Sequence, residues 1–231
     1  MKEQRRKLVI AIDGPSGSGK TTTARLVAKR LGYVHVDTGA MYRALALKAL
    51  RRGVDLEDAS QLESLLAATT IDCCERSGVS YVLLDGHDVT EAVRRAQVTT
   101  KSSQIAALPQ VRRWMVARQR KLGEAGGVVM EGRDIGTVVL TDADVKIYLD
   151  AAPAERARRR WLEDSKSGTQ RGWEEVLREI SERDHRDMTR RHSPLEAAPD
   201  AVVIETSGLT LEAQVARVLE EIEKARGEVA Q

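Results

Sequence analysis

Residues Gly14 to Thr21 read Gly-Pro-Ser-Gly-Ser-Gly-Lys-Thr, a complete match to the phosphate-binding pattern G-x-x-x-x-G-K-[ST]. Glycines at this spacing let a backbone turn its N–H groups inward around an anion. Lys20 then extends an ammonium toward β- and γ-phosphates, and Thr21 offers a hydroxyl to Mg²⁺ at the positive end of a helix. The flanking residues support the match. Leu8-Val9-Ile10-Ala11-Ile12 is an unbroken apolar run of the kind that a strand buried on both faces requires. After the loop, Ala24, Val27, Ala28 and Leu31 fall on one helical stripe, and Gly32 ends it. Strand, glycine-rich turn and helix in this order imply a site for a nucleoside triphosphate.

Several charged groups elsewhere suit the same chemistry. Glu131-Gly132-Arg133-Asp134 follows the apolar run Val128-Val129-Met130, at the carboxyl end of a strand, the edge where open α/β sheets gather ligands. Glu131 is placed to hold Mg²⁺ directly or through water, and Arg133 supplies a forked donor for a phosphate. Arg183, Arg186, Asp187 and Arg190 fall at i, i+3, i+4 and i+7 of a helix beginning near Trp173, so all are expected on one face. Three guanidinium groups so crowded call for an anion opposite. Arg156, Arg158, Arg159 and Arg160 precede a turn at Gly168 and suit a lid that closes over transferring phosphates and excludes water. Of these, Arg156 and Arg160 share a helix face and are the stronger candidates. Asp37-Thr38-Gly39 closes a strand and opens a helix, with Thr38 the expected N-cap. Tyr42 and Arg43, one turn inside, mark a second-substrate site.

No Ser/His/Asp or Cys/His nucleophile set is apparent, and His35, His87, His185 and His192 show no i, i+4 metal pairing. An acceptor that is itself a phosphate carries an anionic oxygen near neutral pH. Transfer to it needs positioning and charge neutralisation rather than a general base. Arginine clusters without bases therefore fit a nucleoside monophosphate acceptor.

These groups must be held by the elements around them. Further apolar runs at 33–36, 128–130, 145–149 and 201–204 alternate with helical stretches, which predicts an α/β fold with a parallel sheet wrapped by helices. The last helix carries Leu211, Val215, Val218, Leu219 and Ile222 on one stripe and should pack on that sheet. Two stretches break the alternation. Ile71 to Glu75 and Val79 to Leu84, joined through Arg76-Ser77-Gly78, read as an antiparallel hairpin insertion. Pro153 to Arg191, dominated by arginine and acidic residues, reads as two charged helices joined by a flexible turn.

At 231 residues the chain is expected to form one domain. Its net charge of +2 gives no general attraction for nucleic acid or an anionic membrane, and with 3% aromatic residues stacking platforms for single strands are scarce. Cys73 and Cys74 are adjacent, so on a strand they point to opposite faces and make a poor disulfide. The basic stretch Met1 to Lys7 precedes an apolar run that stops at Asp13, too soon for a secretory signal, and no run approaches a membrane span. These features predict a soluble, cytoplasmic protein, a monomer without nucleic-acid or membrane partners.

The motifs together resemble bacterial cytidylate kinases. The similarity runs from Ile12-Asp13-Gly14-Pro15-Ser16-Gly17 through Asp37-Thr38-Gly39-Ala40-Met41-Tyr42-Arg43 and Glu131-Gly132-Arg133-Asp134-Ile135-Gly136-Thr137 to Glu182-Arg183-Asp184, nearly the full length. The combination of D-T-G-x-x-Y-R with G-R-D-I-G-T, and the hairpin insertion, make it specific. The resemblance implies a five-stranded parallel core, a monophosphate-binding segment at about 38–108 enlarged by the insertion, and a short lid at about 154–173. It implies that Gly14, Pro15, Ser16, Gly17, Ser18, Gly19, Lys20, Thr21 and Thr22 bind ATP, the phosphoryl donor, and that Mg²⁺ is held at Thr21 and Glu131.

For the acceptor, the resemblance places the cytosine ring on Ser103, Arg112 and Asp134, with Thr38 nearby. Ribose contacts fall on Arg183 and Asp187, acceptor-phosphate contacts on Arg43, Arg133 and Arg190. Lys20, Arg133, Arg156, Arg160 and Arg190 become the residues acting on the moving phosphoryl group. Cytosine presents an amino donor beside acceptor atoms, so a carboxylate paired with a guanidinium complements it. Uracil would set a carbonyl against Asp134, and unpaired buried polar groups of this kind discriminate by ~10⁴ or more at well-built sites. The expected reaction is transfer of the γ-phosphoryl of ATP to CMP and dCMP. Two other readings stay open: a kinase for another small acceptor such as UMP or AMP, and a P-loop ATPase acting as a switch on nucleic acid or a protein partner.

Overall fold

The computed structural model describes residues 7–76, 79–166, 168–169 and 171–229. Five strands, β1 (Val9–Asp13), β2 (Val34–Asp37), β6 (Val128–Glu131), β7 (Val145–Asp150) and β8 (Val202–Glu205), form one parallel sheet in the order β2-β6-β1-β7-β8. Their side chains alternate between two cores. Ala11, Val36, Val128 and Met130 face one layer of helices, whereas Ile10, Ile12, Val129, Ile147 and Leu149 face the other. Burial on both faces explains why the central strands β6, β1 and β7 read as near-continuous apolar runs, whereas the edge strands β2 and β8 expose Val34, Val202 and Val203.

One helical layer contains α1 (Lys20–Leu31) and α8 (Leu211–Val229), whose Val215, Val218 and Ile222 pack on the sheet as the periodicity predicts. The other contains α2 (Thr38–Arg52), α3 (Ala59–Ala67), α4 (Ala96–Ala106) and α5 (Pro109–Gly123). Helix α1 ends at Gly32, where φ is 67° and the N–H returns to Ala28 and Lys29 carbonyls.

The insertion is antiparallel as expected: β3 (Ile71–Arg76) pairs with β4 (Val79–Leu84), and Ser77 and Gly78 of the expected turn lie outside the described residues, as do residues 1–6. Cys73 packs toward the core and both cysteines are free. A third strand, β5 (His87–Asp88), was not expected. Asp85 and Gly86, at φ 50° and 80°, make the two-residue turn into it. The charged stretch forms α6 (Pro153–Lys166) and α7 (Trp173–Thr189), packed through Ala157, Val176 and Ile180. Among the described residues no helix is long and apolar enough to cross a membrane.

Strand register sets the site. Ile12, Glu131 and Asp37 lie level with one another across β1, β6 and β2, so the three chains leave the sheet at one edge. The loop before α1, the start of α2 and the turn after β6 therefore converge.

Candidate active site

The phosphate loop begins where β1 ends. A Cβ at Gly14 would lie 2.0 Å from the Leu149 carbonyl oxygen, and φ there is 144°, so no other residue fits the turn beside β7. Lys20 is buried at the start of α1, its Nζ donating to the Pro15 carbonyl (2.6 Å) and to Ser18 Oγ (3.4 Å). Burial, and next the Arg133 guanidinium, hold its ammonium well below the usual lysine range. A helix N-terminus and a desolvated cation thus face the same space.

Glu131 is fixed from three directions. Thr21 Oγ1 donates to its Oε2 (2.9 Å), the His35 imidazole Nε2 bonds Oε1 (3.0 Å), and Thr38 Oγ1 donates to its carbonyl (2.7 Å). His35 in turn reaches Ser80 Oγ of β4 through Nδ1 (3.1 Å). The Thr38 bond corrects the capping expectation. Asp37 is the N-cap of α2, accepting the Ala40 N–H at 2.9 Å, which frees the Thr38 hydroxyl to tie α2 to β6. A Cβ on Gly132 would fall 2.7 Å from that hydroxyl, so this close approach needs glycine.

Beyond Glu131 the acceptor candidates form one chain of charges. Arg112 Nη2 pairs with Asp134 Oδ2, and Arg190 lies 3.8 Å from Asp134 Oδ1 and 3.9 Å from Asp187 Oδ1. Arg133 Nε donates to Asp187 Oδ2 (3.0 Å). Tyr42 lies beneath Arg112, 5.9 Å from guanidinium to ring centroid, and burial pushes its hydroxyl up to about 12. Arg43 pairs with Asp37 (2.9 Å). Burial works to raise the Asp37 carboxyl, but Arg43 and the Ala40 N–H together hold it below the usual carboxylate range. Ser103 is half-buried on α4, its hydroxyl without a hydrogen-bond partner among the described residues.

Arg183 stands apart from these pairs. No carboxylate among the described residues bridges it, and burial, then Arg133 and Arg43, press its guanidinium down to about 10. Burial, then Arg112, lowers Arg190 in the same way. Positive charge thus exceeds negative at this edge, the condition for drawing in an anion.

Two other expectations need revision. Arg186 does not share the face of Arg183 and Asp187: it is exposed and turns its Nε to the Glu182 carbonyl (3.2 Å). Helix α7 stops at Thr189, and Arg190 bends back in extended backbone with its Nε on the Ser193 carbonyl. Arg156 and Arg160, although one turn apart, occupy different surroundings. Arg156 is buried and joins Asp184 (2.5 Å) to the Ser16 carbonyl (3.2 Å) of the phosphate loop. Arg160 is about half exposed, 3.2 Å from Asp164.

Asp13 was not singled out as a site residue, yet its buried carboxylate accepts the N–H groups of Ile135 (2.9 Å) and Gly136 (2.7 Å). Burial outweighs those bonds and raises the carboxyl to about 6. The residue before Gly14 therefore clamps the turn that carries Arg133 and Asp134. His35, which has no i, i+4 metal partner in the sequence, meets Glu131 from 96 residues away.

A family model for cytidylate kinase matches residues 10–224. The chain belongs to the cytidylate kinase family. It is 49% identical over 222 residues to the cytidylate kinase of Geobacillus thermodenitrificans, covering 96% of this chain and 99% of that one. A cytidylate kinase of Desulfitobacterium hafniense is 49% identical over 215 residues, covering 93% and 92%. Among solved structures, a gluconokinase from Sinorhizobium meliloti 1021 aligns with a TM-score of 0.50 at 14% identity over 98% of both chains. An uncharacterised protein from Eubacterium ventriosum aligns with a TM-score of 0.51 at 12% identity, covering 94% and 99%. At such identities the likeness concerns the α/β fold alone.

Proposed function

We propose that this member of the cytidylate kinase family transfers the γ-phosphoryl group of ATP to CMP, and also to dCMP, giving ADP and CDP or dCDP. The observation that carries the reading is the charge chain from Arg112 and Asp134 through Arg190 and Asp187 to Arg133, which ends beside the phosphate loop. One end of it presents the carboxylate and guanidinium that complement cytosine, with Tyr42 beside them and Ser103 assigned to the same ring by family resemblance. The other end presents the cations Arg43, Arg133, Arg183 and Arg190 to the acceptor phosphate and ribose.

In the reaction a phosphate oxygen of CMP bonds to the γ-phosphorus as the bond to the β–γ bridging oxygen breaks, and that oxygen leaves with ADP. No proton must be removed from an ionised acceptor, so the enzyme's task is alignment and charge neutralisation. Lys20 and the loop N–H groups hold the donor, while Arg133 and Arg190 hold the acceptor in line. Thr21 and Glu131 supply adjacent oxygen donors, the hard ligands that Mg²⁺ takes alongside substrate phosphates and water. When bound there, Mg²⁺ would neutralise charge shared by the β- and γ-oxygens.

Residues 38–108 form the monophosphate-binding segment and 154–173 the lid in this reading. Arg156, already on the loop backbone, acts by fixing the loop to α6 and α7, and Arg160, paired with Asp164, is the lid arginine of this reading. ADP production from ATP, measured with CMP, dCMP, UMP, AMP or single-stranded DNA added in turn, tests the proposal. Turnover is expected with CMP and dCMP. Stimulation by DNA without turnover of CMP would overturn it.

A further inference from the structure

The least explained feature of the site is the line Ser80, His35, Glu131, Thr21, buried at its two central members His35 and Glu131. It runs from the hairpin insertion to the first turn of α1, through contacts of 3.1, 3.0 and 2.9 Å. A glutamate is long and turns freely about its side-chain bonds, so a metal-binding role needs something to choose which oxygen faces the metal. Here the two oxygens are assigned to different partners. His35 occupies Oε1 and Thr21 donates to Oε2.

We infer that His35 is a positioning residue for the phosphoryl-transfer reaction: its imidazole fixes the Glu131 carboxylate so that Oε2, beside Thr21, is the oxygen turned to the divalent cation of the donor nucleotide. This rests on the reading of Glu131 and Thr21 as the cation's protein ligands. An ionised carboxylate only accepts, so His35 Nε2 carries the proton of that bond. Ser80 fixes the ring from its other nitrogen, the arrangement by which outer partners orient ligands and raise their affinity. His35 sits on β2, level with Val129 of β6, and is buried, so the ring has one way to reach both neighbours.

Mn²⁺ titrated into the enzyme–ADP complex, followed by electron paramagnetic resonance, reads the effect without turnover. His35→Phe is expected to weaken Mn²⁺ binding at least about tenfold, within the range for outer-partner loss, while ADP binding without metal is unchanged. His35→Gln, whose amide N–H reaches where Nε2 does, is expected to restore most of that loss. Ser80→Ala, which leaves the Glu131 contact in place, is expected to cost roughly threefold, the scale of one hydrogen bond. Equal loss in His35→Phe and His35→Gln, with Ser80→Ala unchanged, would reduce His35 to a packing residue and overturn the inference. Normal Mn²⁺ affinity in His35→Phe beside weakened affinity in Glu131→Gln would overturn it while sparing the metal-ligand reading. Unchanged affinity in Glu131→Gln would overturn that reading and this inference with it.

Discussion

The donor loop draws its chemistry from consecutive residues, Gly14 to Thr21, and largely from backbone N–H groups, whereas the acceptor site gathers side chains from α2, α5, the turn after β6 and the end of α7. The loop is shaped by sterics, as the Gly14 approach to Leu149 illustrates, and its cation Lys20 rests on a neighbouring carbonyl. The acceptor side is shaped by ion pairs: Arg112 to Asp134, Arg133 to Asp187, Arg43 to Asp37. A backbone cradle binds any triphosphate tail in the same way. On the proposed reading, the buried pair Arg112 and Asp134 would leave a wrong base with unmet partners, which concentrates selection there.

Removing the cation of the donor loop should expose this division most strongly. Lys20→Ala is expected to lower kcat by about 10²–10³-fold, the scale for losing one transition-state donor. The loss should be equal with CMP and dCMP, with binding of CMP alone unaffected. Steady-state kinetics with both acceptors and equilibrium CMP binding check it, and an acceptor-dependent loss would break the division.

Arg183 should give the next largest effect, with opposite signs in two measurements. It is half-buried, with Arg133 and Arg43 opposing its charge and Asp187 favouring it, and has no carboxylate bridge among the described residues. Arg183→Met is expected to lower kcat/KM for CMP by about 10-fold or more, the scale of a charged hydrogen bond. The ligand-free protein should melt roughly 2–4 °C higher, as relief of about 1 kcal/mol would give for a chain of this length. A lower melting temperature would mean that Arg183 is structurally paired rather than held ready for an anion.

How far the two halves could be read from sequence follows from the same contrast. The loop and all five sheet strands are local patterns: the central three, buried on both faces, are apolar over most of their length, and the edge strands β2 and β8 are still partly apolar. The acceptor residues were legible only as scattered charges, and their grouping relied on family resemblance. Thr38 is the expected cap of α2, yet its hydroxyl goes to the Glu131 carbonyl, 93 residues away, and Asp37 takes the Ala40 N–H instead. Arg186 satisfied the spacing rule but lies to the far side of Arg183 from Asp187 around the helix, on the solvent side. His35 and Asp13 act through partners 96 and more than 120 residues away, a relation no periodicity reveals. Asp85-Gly86, by contrast, is a local two-residue hairpin signal that the sequence itself carries.

Asp13 joins the two halves and should give the smallest effect. Its carboxyl is raised to about 6 in the folded protein, above its usual value of 3.8, mainly by burial. The folded state then holds the proton more tightly than the unfolded chain, so this group's contribution to stability rises as pH falls through 6 and is lost as pH rises through it. Between pH 7 and 5 the wild-type protein should gain about 1 kcal/mol relative to Asp13→Asn. Urea unfolding at both pH values measures it. Parallel pH dependences in the two proteins would show that Asp13 does not titrate in this range.

The central claim is that the pair Arg112 and Asp134, rather than the donor loop, makes the enzyme select cytidylate. The most direct test is the ratio of kcat/KM for CMP to that for UMP in Arg112→Met against wild type. The ratio is expected to fall by at least about 10²-fold, a fraction of what unmet polar partners discriminate, through a higher KM for CMP with KM for ATP little changed. An unchanged ratio would contradict the account.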